Sequence, residues 1–237
     1  MFAFVVGVQC IEGEFMLSAG SRGAGLGQFN ALRGLSLTPD ETHLLVCDVR
    51  NHRVVVADVR DGRSLRSLQG PAGTLVVPMQ AVVVPQTGQV LVVDYQRSLV
   101  VVFAGVDDDT VMRTLGDGPG QGPRQLYNPW GLTVLDGDVG DAAAPDGPVA
   151  VVADTYNHRL ALWRVRDGTV VRHVGSKGAA PGQFNYPTTV PSRTRHKAKR
   201  WLWVSATTTT TPSGAAASPT SPSNTARQKG PLNCRGP

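Results

Sequence analysis

The hydrophobic pattern of this chain consists of short, valine-rich runs that end at polar turns. The clearest examples are residues 45–57 (LVCDVRNHRVVVA) and 151–163 (VVADTYNHRLALW), which are near copies of each other. In both, an apolar run ends at an aspartate, an Asn-His-Arg triplet starts three residues later, and a second apolar run follows. Short apolar runs bounded by turn residues indicate β-strands. The pattern therefore predicts strand, tight connection and strand, present twice.

The aspartate that ends each run sets the register of an internal repeat. Asp48, Asp94 and Asp154 are 46 and 60 residues apart, and the longer interval contains a Gly- and Asp-rich insertion at residues 136–147, which indicates an exposed loop. Without these twelve residues the second interval is 48. Internal repeats of this length indicate a propeller or a solenoid.

Each repeat unit has the same parts in the same order. A glycine-rich turn, ending in Gly-Gln-Phe at residues 27–29 and 182–184, precedes a short apolar strand such as residues 34–37 or 131–135. A second strand ends at the aspartate, a third follows the triplet, and a fourth follows an Asp-Gly pair. Asp-Gly suits a two-residue hairpin because glycine tolerates positive φ. Four antiparallel strands per unit are typical of a β-propeller blade.

The repeats predict an all-β fold, a β-propeller of four-stranded antiparallel blades over residues 1–206, with three full blades and two half blades. Residues 12–29 match residues 167–184 without a gap, so residues 1–20 are expected to supply the third and fourth strands of a blade. Residues 182–190 and 200–206 are expected to supply a first and a second strand. Residues 207–237 are rich in Thr, Ser, Pro and Ala, and they are expected to form a disordered tail.

The segments GQFN, NPWGL and VVADTYNHRL together resemble the NHL repeat, as found in tripartite-motif and RING proteins. The resemblance covers residues 14–206 and implies a propeller whose usual form is six-bladed and closed. The middle unit departs from the pattern, because Tyr95-Gln96-Arg97-Ser98 replaces the triplet after Asp94. Either the two half blades join into a closed four-bladed ring, or the chain is part of a larger six-bladed propeller. The loss of the pattern after Ala206 favours the second interpretation, in which apolar blade edges are open to oligomerisation.

The repeated turn residues have a structural interpretation. An aspartate at a strand end can accept hydrogen bonds from backbone N–H groups of the turn, and asparagine tolerates the left-handed conformation. The arginines can bond carbonyl or carboxylate groups of a neighbouring blade. Metal binding or acid-base chemistry would use the same residue types, but a catalytic set is needed once and a blade turn is needed in every blade. We therefore assign the structural role to Asp48, Asn51, His52, Arg53, Asp94, Asp154, Asn157, His158 and Arg159.

Charge distribution weakens the case for a nucleic-acid partner. The net charge is +5, yet residues 1–190 hold all 18 acidic and 15 of the 23 basic residues, which makes this part −3. The positive excess lies in residues 191–237, where a basic run could contact phosphate. A solvated loop is the favoured interpretation of this run, which contains Arg193, Arg195, Lys197, Lys199 and Arg200.

Other features exclude several classes of protein. The three cysteines are far apart and form no CxxC pair, which is typical of reduced thiols in an intracellular, cytoplasmic protein. No apolar run approaches the roughly 20 residues that a membrane helix needs. The chain contains no Gly-x-Ser-x-Gly elbow, no HExxH and no phosphate-binding glycine loop, so we expect no enzymatic activity, no metal and no cofactor.

The aromatic residues indicate a contact surface for a partner. Tyr127, Trp130 and Tyr186 flank predicted first strands, near one face and the central channel, with Arg124 close by in sequence. Exposed aromatic rings beside an arginine suit a partner peptide or a stacked base, although core packing is favoured for Trp130 itself. We expect a non-enzymatic scaffold for protein–protein interaction, and the NHL resemblance implies substrate recognition in ubiquitin ligation. The alternatives are an RNA-binding NHL propeller and a propeller lyase or hydrolase with a metal in its channel.

Overall fold

The computed structural model describes residues 18–135 and 147–190, which form three four-stranded antiparallel sheets after a short parallel strand pair. The pair is β1 (Ser21–Arg22) and β2 (Gln28–Phe29). Sheet 1 contains β3 (Leu32–Leu37), β4 (His43–Asp48), β5 (Arg53–Asp58) and β6 (Ser64–Leu68). Sheet 2 contains β7 (Pro78–Val83), β8 (Val90–Asp94), β9 (Leu99–Phe103) and β10 (Val111–Leu115). Sheet 3 contains β11 (Leu132–Leu135), β12 (Val149–Asp154), β13 (Arg159–Arg164) and β14 (Val170–Val174).

The predicted all-β class and the four-stranded antiparallel units are confirmed. In each sheet the strand order follows the sequence order. Helix within the described ranges is limited to two 3₁₀ turns, Val49–Asn51 and Thr155–Asn157, which join the second and third strands of sheets 1 and 3.

Several expectations fall outside the described residues: the N-terminal half blade over residues 1–17, most of the insertion, the second strand at 200–206, the basic run and the tail. The expected first strand at residues 182–190 is not formed. Only an isolated parallel bridge joins Phe184 to Lys177, and no other described residue pairs with residues 185–190. A strand requires a hydrogen-bonded ladder, and none joins this segment to the part of the chain that the structure describes.

The sheets stack face to face, so sheet 2 is covered on both sides. Side chains alternate along the central strands. One face of sheet 1 meets sheet 2 through Leu45, Cys47, Val54, Val56, Val90, Val92, Val101 and Phe103. The other face of sheet 2 meets sheet 3 through Leu91, Val93, Val100, Val102, Ala150, Val152, Ala161 and Trp163. Burial of both faces explains why β8 and β9 are continuous apolar runs rather than alternating ones.

The first strands of the three sheets are neighbours, which gives the stack a propeller-like arrangement. β7 contacts both β3 and β11. The Ser36 hydroxyl donates to the Ala81 carbonyl at 2.5 Å, and the Leu132 N–H donates to Gln80 Oε1 at 3.0 Å. These bonds join successive first strands across the sheets rather than within them.

Glycine allows two of these close approaches, whereas β7 has Gln80 at the equivalent position. A Cβ on Gly34 would lie 2.3 Å from the Met79 carbonyl oxygen, and a Cβ on Gly131 would lie 2.6 Å from the Thr188 carbonyl oxygen. Residues 188–190 therefore pack on β11 as the start of β7 packs on β3. Val190 is buried against the outer face of sheet 3. The segment occupies the place of a further first strand, although it lacks the ladder of one.

Replacing Gly34 with alanine is expected to destabilise the fold by about 1–3 kcal/mol, because the new methyl group meets backbone atoms that cannot rotate away. The Cβ would lie 2.3 Å from the Met79 oxygen and 2.8 Å from the Gln80 Cα, so the two sheets must separate locally. Gly105→Ala is the control, since its Cβ would meet nothing closer than 3.8 Å. Urea unfolding measures the difference; equal stability of the two variants would contradict the close approach of β3 and β7.

Candidate functional site

The turn after β12 is organised by the fully buried carboxylate of Asp154. Its Oδ1 accepts the backbone N–H of Tyr127 at 2.7 Å. Its Oδ2 accepts Nδ2 of Asn157 at 2.8 Å and Nε of Arg159 at 2.7 Å. Three donors occupy both oxygens, so this carboxylate serves as a structural acceptor rather than as an accessible acid or metal ligand.

The turn after β4 repeats these contacts residue by residue. Asp48 is also fully buried and accepts the backbone N–H of Asn30 at 2.7 Å. Asn51 Nδ2 and Arg53 Nε donate to its Oδ2 at 2.7 and 3.0 Å. Two copies of one network at equivalent positions indicate a role in the scaffold.

The arginines connect each turn to the segment that enters its sheet. Arg159 donates to the carbonyl oxygens of Gln121, Gly122 and Gln125, which lie between sheets 2 and 3. Arg53 does the same with the carbonyls of the segment that enters sheet 1, at residues 25 and 28. Each guanidinium therefore joins a turn to a connector about 25–38 residues away in sequence.

The middle turn achieves the same connection with different residues. Asp94 accepts the N–H groups of Val77 at 3.0 Å and Arg97 at 2.9 Å. The guanidinium of Arg97 donates to the carbonyl oxygens of Gly73 and Thr74, both at 2.8 Å. Arg97 stands where the other turns have asparagine. Its side chain makes the contacts to connector carbonyls, while its backbone N–H takes the place of the side chains that bind the aspartate in the other turns.

The left-handed residue of each turn is not the asparagine that the sequence suggests. His52, Ser98 and His158 have φ of 54°, 55° and 54°. Asn51 and Asn157 instead lie in the 3₁₀ turns, where their side chains donate to the aspartate. The expectation was wrong because the aspartate engages the asparagine side chain, which leaves the next residue to reverse the chain.

His158 connects its turn to the segment that follows sheet 3. Its Nδ1 accepts the backbone N–H of Tyr186 at 3.2 Å, which requires the neutral ring. Burial, and then the nearby charge of Lys177, lowers the pKa of His158. The two rings are 4.4 Å apart between centroids. His158 therefore acts at neutral pH as an uncharged support for Tyr186.

Five aromatic side chains form a continuous row at the end of the stack where the second strands finish. Ring centroids are 6.0 Å apart for Tyr95–Trp130 and 6.5 Å apart for Tyr95–Tyr156. Tyr156 continues the row to Tyr127 at 5.5 Å and to Tyr186 at 5.3 Å. Edge-to-face and tilted pairs at these distances are favourable. We call these five residues the aromatic row.

The row is partly exposed to solvent above a hydrogen-bonded turn. Trp130, Tyr127, Tyr156 and Tyr186 are 38–44% exposed. Tyr156 lies within the 3₁₀ turn next to Asp154, and the Tyr127 N–H is bound by the same carboxylate. The structure thus combines partly exposed rings with a buried polar network directly beneath them.

Sequence reasoning singled out some of these residues and missed others. The structure brings Tyr127, Trp130 and Tyr186 together, and the exposure of Trp130 differs from the core packing expected for it alone. Arg124 is elsewhere: it pairs with Asp117 at 3.1 Å and lies over the Trp163 ring at 5.6 Å. The Arg124 side chain remains 48% exposed and also donates to the Gly168 carbonyl at 3.2 Å, so it covers the buried Trp163 ring from the outside.

The missed members of the row are Tyr95 and Tyr156. Both follow the repeated aspartate within two residues, at the end of the sheets where first strands begin. In a four-stranded meander, the turn between strands two and three and the connector into strand one share an end. This topological rule was the signal that could have found them.

A cavity of about 310 Å³ lies where the first strands converge. We call it the mouth pocket, and its lining includes Arg33, Met79, Gln80, Trp130, Thr188 and Thr189. Trp130 belongs both to this pocket and to the aromatic row. A second cavity, of about 450 Å³, opens at the opposite end of the stack, between sheets 2 and 3 near Met112 and Arg113.

Over residues 18–135 and 147–190, no group of three or more His, Cys, Asp or Glu side chains is placed to hold a metal ion. Cys47 is buried between sheets 1 and 2, and this burial raises the pKa of its thiol well above the usual value. None of the helical segments in this part of the chain is long and apolar enough to cross a membrane.

Comparison with known proteins bears on the fold. No family model matches the chain, and no curated protein matches it in sequence. An auxiliary nutrient binding protein from Bacteroides ovatus has a similar structure, with a TM-score of 0.54 at 10% identity, covering 78% of this chain and 53% of that one.

A hydrazine synthase from Kuenenia stuttgartiensis aligns with a TM-score of 0.49 at 17% identity, covering 72% of this chain and 42% of that one. This chain therefore spans about half or less of the length of these proteins. The likeness to the Bacteroides protein, together with the stacked meanders, shows that this chain has a β-rich, propeller-like repeat fold.

Proposed function

We propose that this chain is a non-enzymatic NHL-type propeller scaffold whose aromatic row binds a protein partner. The repeated Asp-x-x-Asn-His-Arg turn and the stacked four-stranded units support the NHL assignment. The resemblance extends the proposal to recognition of a substrate for ubiquitin ligation. An enzymatic role is disfavoured, since both oxygens of Asp48 and Asp154 are already engaged by donors of the scaffold.

The observation that carries the proposal is the aromatic row itself. Tyrosine and tryptophan dominate the binding energy of protein interfaces, because they bury a large area and lose little side-chain entropy. Four of the five rings keep 38–44% of their surface exposed although they contact one another. Rings that served only the core would be covered by the stack.

The charges near the row favour a protein over RNA. The guanidinium groups of Arg97 and Arg159 are held by backbone carbonyls, and His158 is neutral. Binding of a nucleic-acid backbone relies on several Lys or Arg groups that can reach phosphates. Over residues 18–135 and 147–190, the aromatic row has few free basic groups beside it, so its rings are better suited to the side chains of a peptide.

Tyr156→Ala is expected to weaken the binding of partner peptides by tenfold or more, because central aromatic anchors typically supply about 2 kcal/mol or more. Tyr156 contacts three other rings of the row. Peptides selected on the full chain from a displayed random library provide the probes, and fluorescence anisotropy gives the affinities. The control is Met112→Ala, which removes a 52% exposed side chain at the opposite end.

Undiminished peptide affinity in the Tyr156 variant would overturn the assignment of the aromatic row. Selective binding of single-stranded RNA oligonucleotides, with no peptide enriched, would replace the proposal with the RNA-binding alternative.

A further inference from the structure

One position in each repeat unit does not repeat its chemistry. Arg33, Met79, Trp130 and Thr188 occupy the same place, directly before the close contact between successive first strands. Arg33 and Met79 each follow the residue that pairs with a turn aspartate, and Gly34 meets the Met79 carbonyl as Gly131, next to Trp130, meets the Thr188 carbonyl. All four residues line the mouth pocket, where Met79 is buried and also packs in the core between sheets 2 and 3.

This variation contrasts with the rest of the unit. The turn aspartates, Asp48, Asp94 and Asp154, have one scaffold function and one residue type. A residue that serves the scaffold has the same task in every unit, so its type is expected to repeat. A ligand at the centre presents a different side to each unit, so the residues that contact it are expected to differ. A cation, an indole and a threonine that converge on one cavity, beside the buried Met79, therefore indicate a binding site rather than packing alone.

The lining favours a negatively charged ligand. Arg33 is exposed, and no hydrogen bond or ion pair joins it to another described residue. Gln80 uses its Oε1 to accept the Leu132 N–H, which leaves its amide NH₂ to donate to a ligand. The hydroxyls of Thr188 and Thr189 add further donors, and the lining contains no Asp or Glu.

We propose that the mouth pocket binds a carboxylate carried on a small apolar body. The guanidinium of Arg33 pairs with the carboxylate, assisted by the Gln80 amide and the threonine hydroxyls. The partly exposed Trp130 indole contacts the apolar body, and the buried Met79 forms the floor beside it. The volume of about 310 Å³ lies at the lower end of ligand pockets, which run from roughly 300 to 1,000 Å³.

This site does not depend on the proposed function, since only Trp130 is shared between the pocket and the aromatic row. The carboxylate has two sources: a free small acid, or the acidic side chain of a peptide. Both present the same chemistry to Arg33, and the test separates them.

The test follows the indole N–H signal of Trp130 in ¹⁵N-labelled full chain, with Trp130→Phe used only to assign it. Phenylacetate is titrated against phenylacetamide, which has the same shape without the charge. We expect the amide to bind at least about tenfold more weakly, because a hydrogen bond to a charged group adds roughly 1.5–3 kcal/mol. Arg33→Gln should remove this preference, whereas Arg166→Gln, at the opposite cavity, should retain it.

A second arm titrates acetyl-Ala-Glu-Ala-amide against its glutamine counterpart. Tighter binding of phenylacetate than of the Glu peptide identifies a free acid as the ligand, and the reverse order identifies an acidic side chain. Equal binding of acid and amide, a preference that survives Arg33→Gln, or no movement of the Trp130 signal with any probe would overturn the proposal. An unchanged Trp163 indole signal shows that the Arg33 variant is folded.

Discussion

Asp154→Ala is expected to reduce the free energy of unfolding by about 3–5 kcal/mol, the cost typical of removing one partner from a buried ion pair. The carboxylate is fully buried and accepts three hydrogen bonds. Its removal leaves the Tyr127 N–H, the Asn157 amide and the largely buried Arg159 guanidinium without their acceptor. Tyr127 lies in the segment that enters sheet 3, whereas Asn157 and Arg159 lie at the turn after β12. The substitution therefore weakens both segments rather than the turn alone.

Urea unfolding followed by circular dichroism measures this effect. Asp107→Ala is the matched control, because that aspartate pairs with Arg66 while its side chain is 90% exposed; a change within about 0.5 kcal/mol is expected there. The double variant Asp154→Ala/Arg159→Ala should lose less than the sum of the single losses, since it removes an unpaired buried charge. A loss below about 1 kcal/mol for Asp154→Ala would show that the turn does not depend on the pair.

Trp163→Ala is expected to destabilise the fold by a similar amount, about 3–5 kcal/mol. The indole is fully buried in the cluster between sheets 2 and 3, and no smaller side chain can fill its volume. The same variant removes the ring beneath the Arg124 guanidinium. Removing the indole leaves a cavity between sheets 2 and 3. The backbone hydrogen bonds within each sheet limit how far the sheets can move together to fill it.

Trp130→Ala is the control for that change, since Trp130 is 38% exposed at the end of the stack and should cost about 1 kcal/mol or less. Thermal unfolding and urea unfolding together give the comparison. If the Trp130 variant proved the less stable of the two, the assignment of Trp163 to the core and of Trp130 to a surface would be reversed.

The stability of the fold and the proposed binding surface are linked through the same turn. Asp154 holds the Tyr127 N–H, and Tyr156 lies two residues after it. The aromatic row therefore depends on a carboxylate that is itself fully buried. The repeated residues support the surface, and the residues that differ between units form the pocket at its edge.

The local elements of this protein follow directly from its sequence. Alternating and continuous apolar runs specify strands, Asp-Gly and Asn-His-Arg specify turns, and their repetition specifies four-stranded units. Such signals are local, because strand faces and turn conformations depend on residues within a few positions. The middle unit lacks the Asn-His-Arg triplet, yet its strands pair in register. The apolar runs are therefore enough to specify strands without that turn sequence.

The tertiary structure alone decided which distant side chains meet. Arg97 reaches carbonyls 23 and 24 residues away, and Arg124 leaves the predicted surface to cover Trp163. Tyr95 and Tyr156 join the aromatic row, and Arg33 and Trp130 line one pocket only through the stacking of sheets 1 to 3. These placements depend on how buried faces pack across sheets. Side-chain volume and unsatisfied donors govern that packing, and neither is readable from the spacing of residues along the chain.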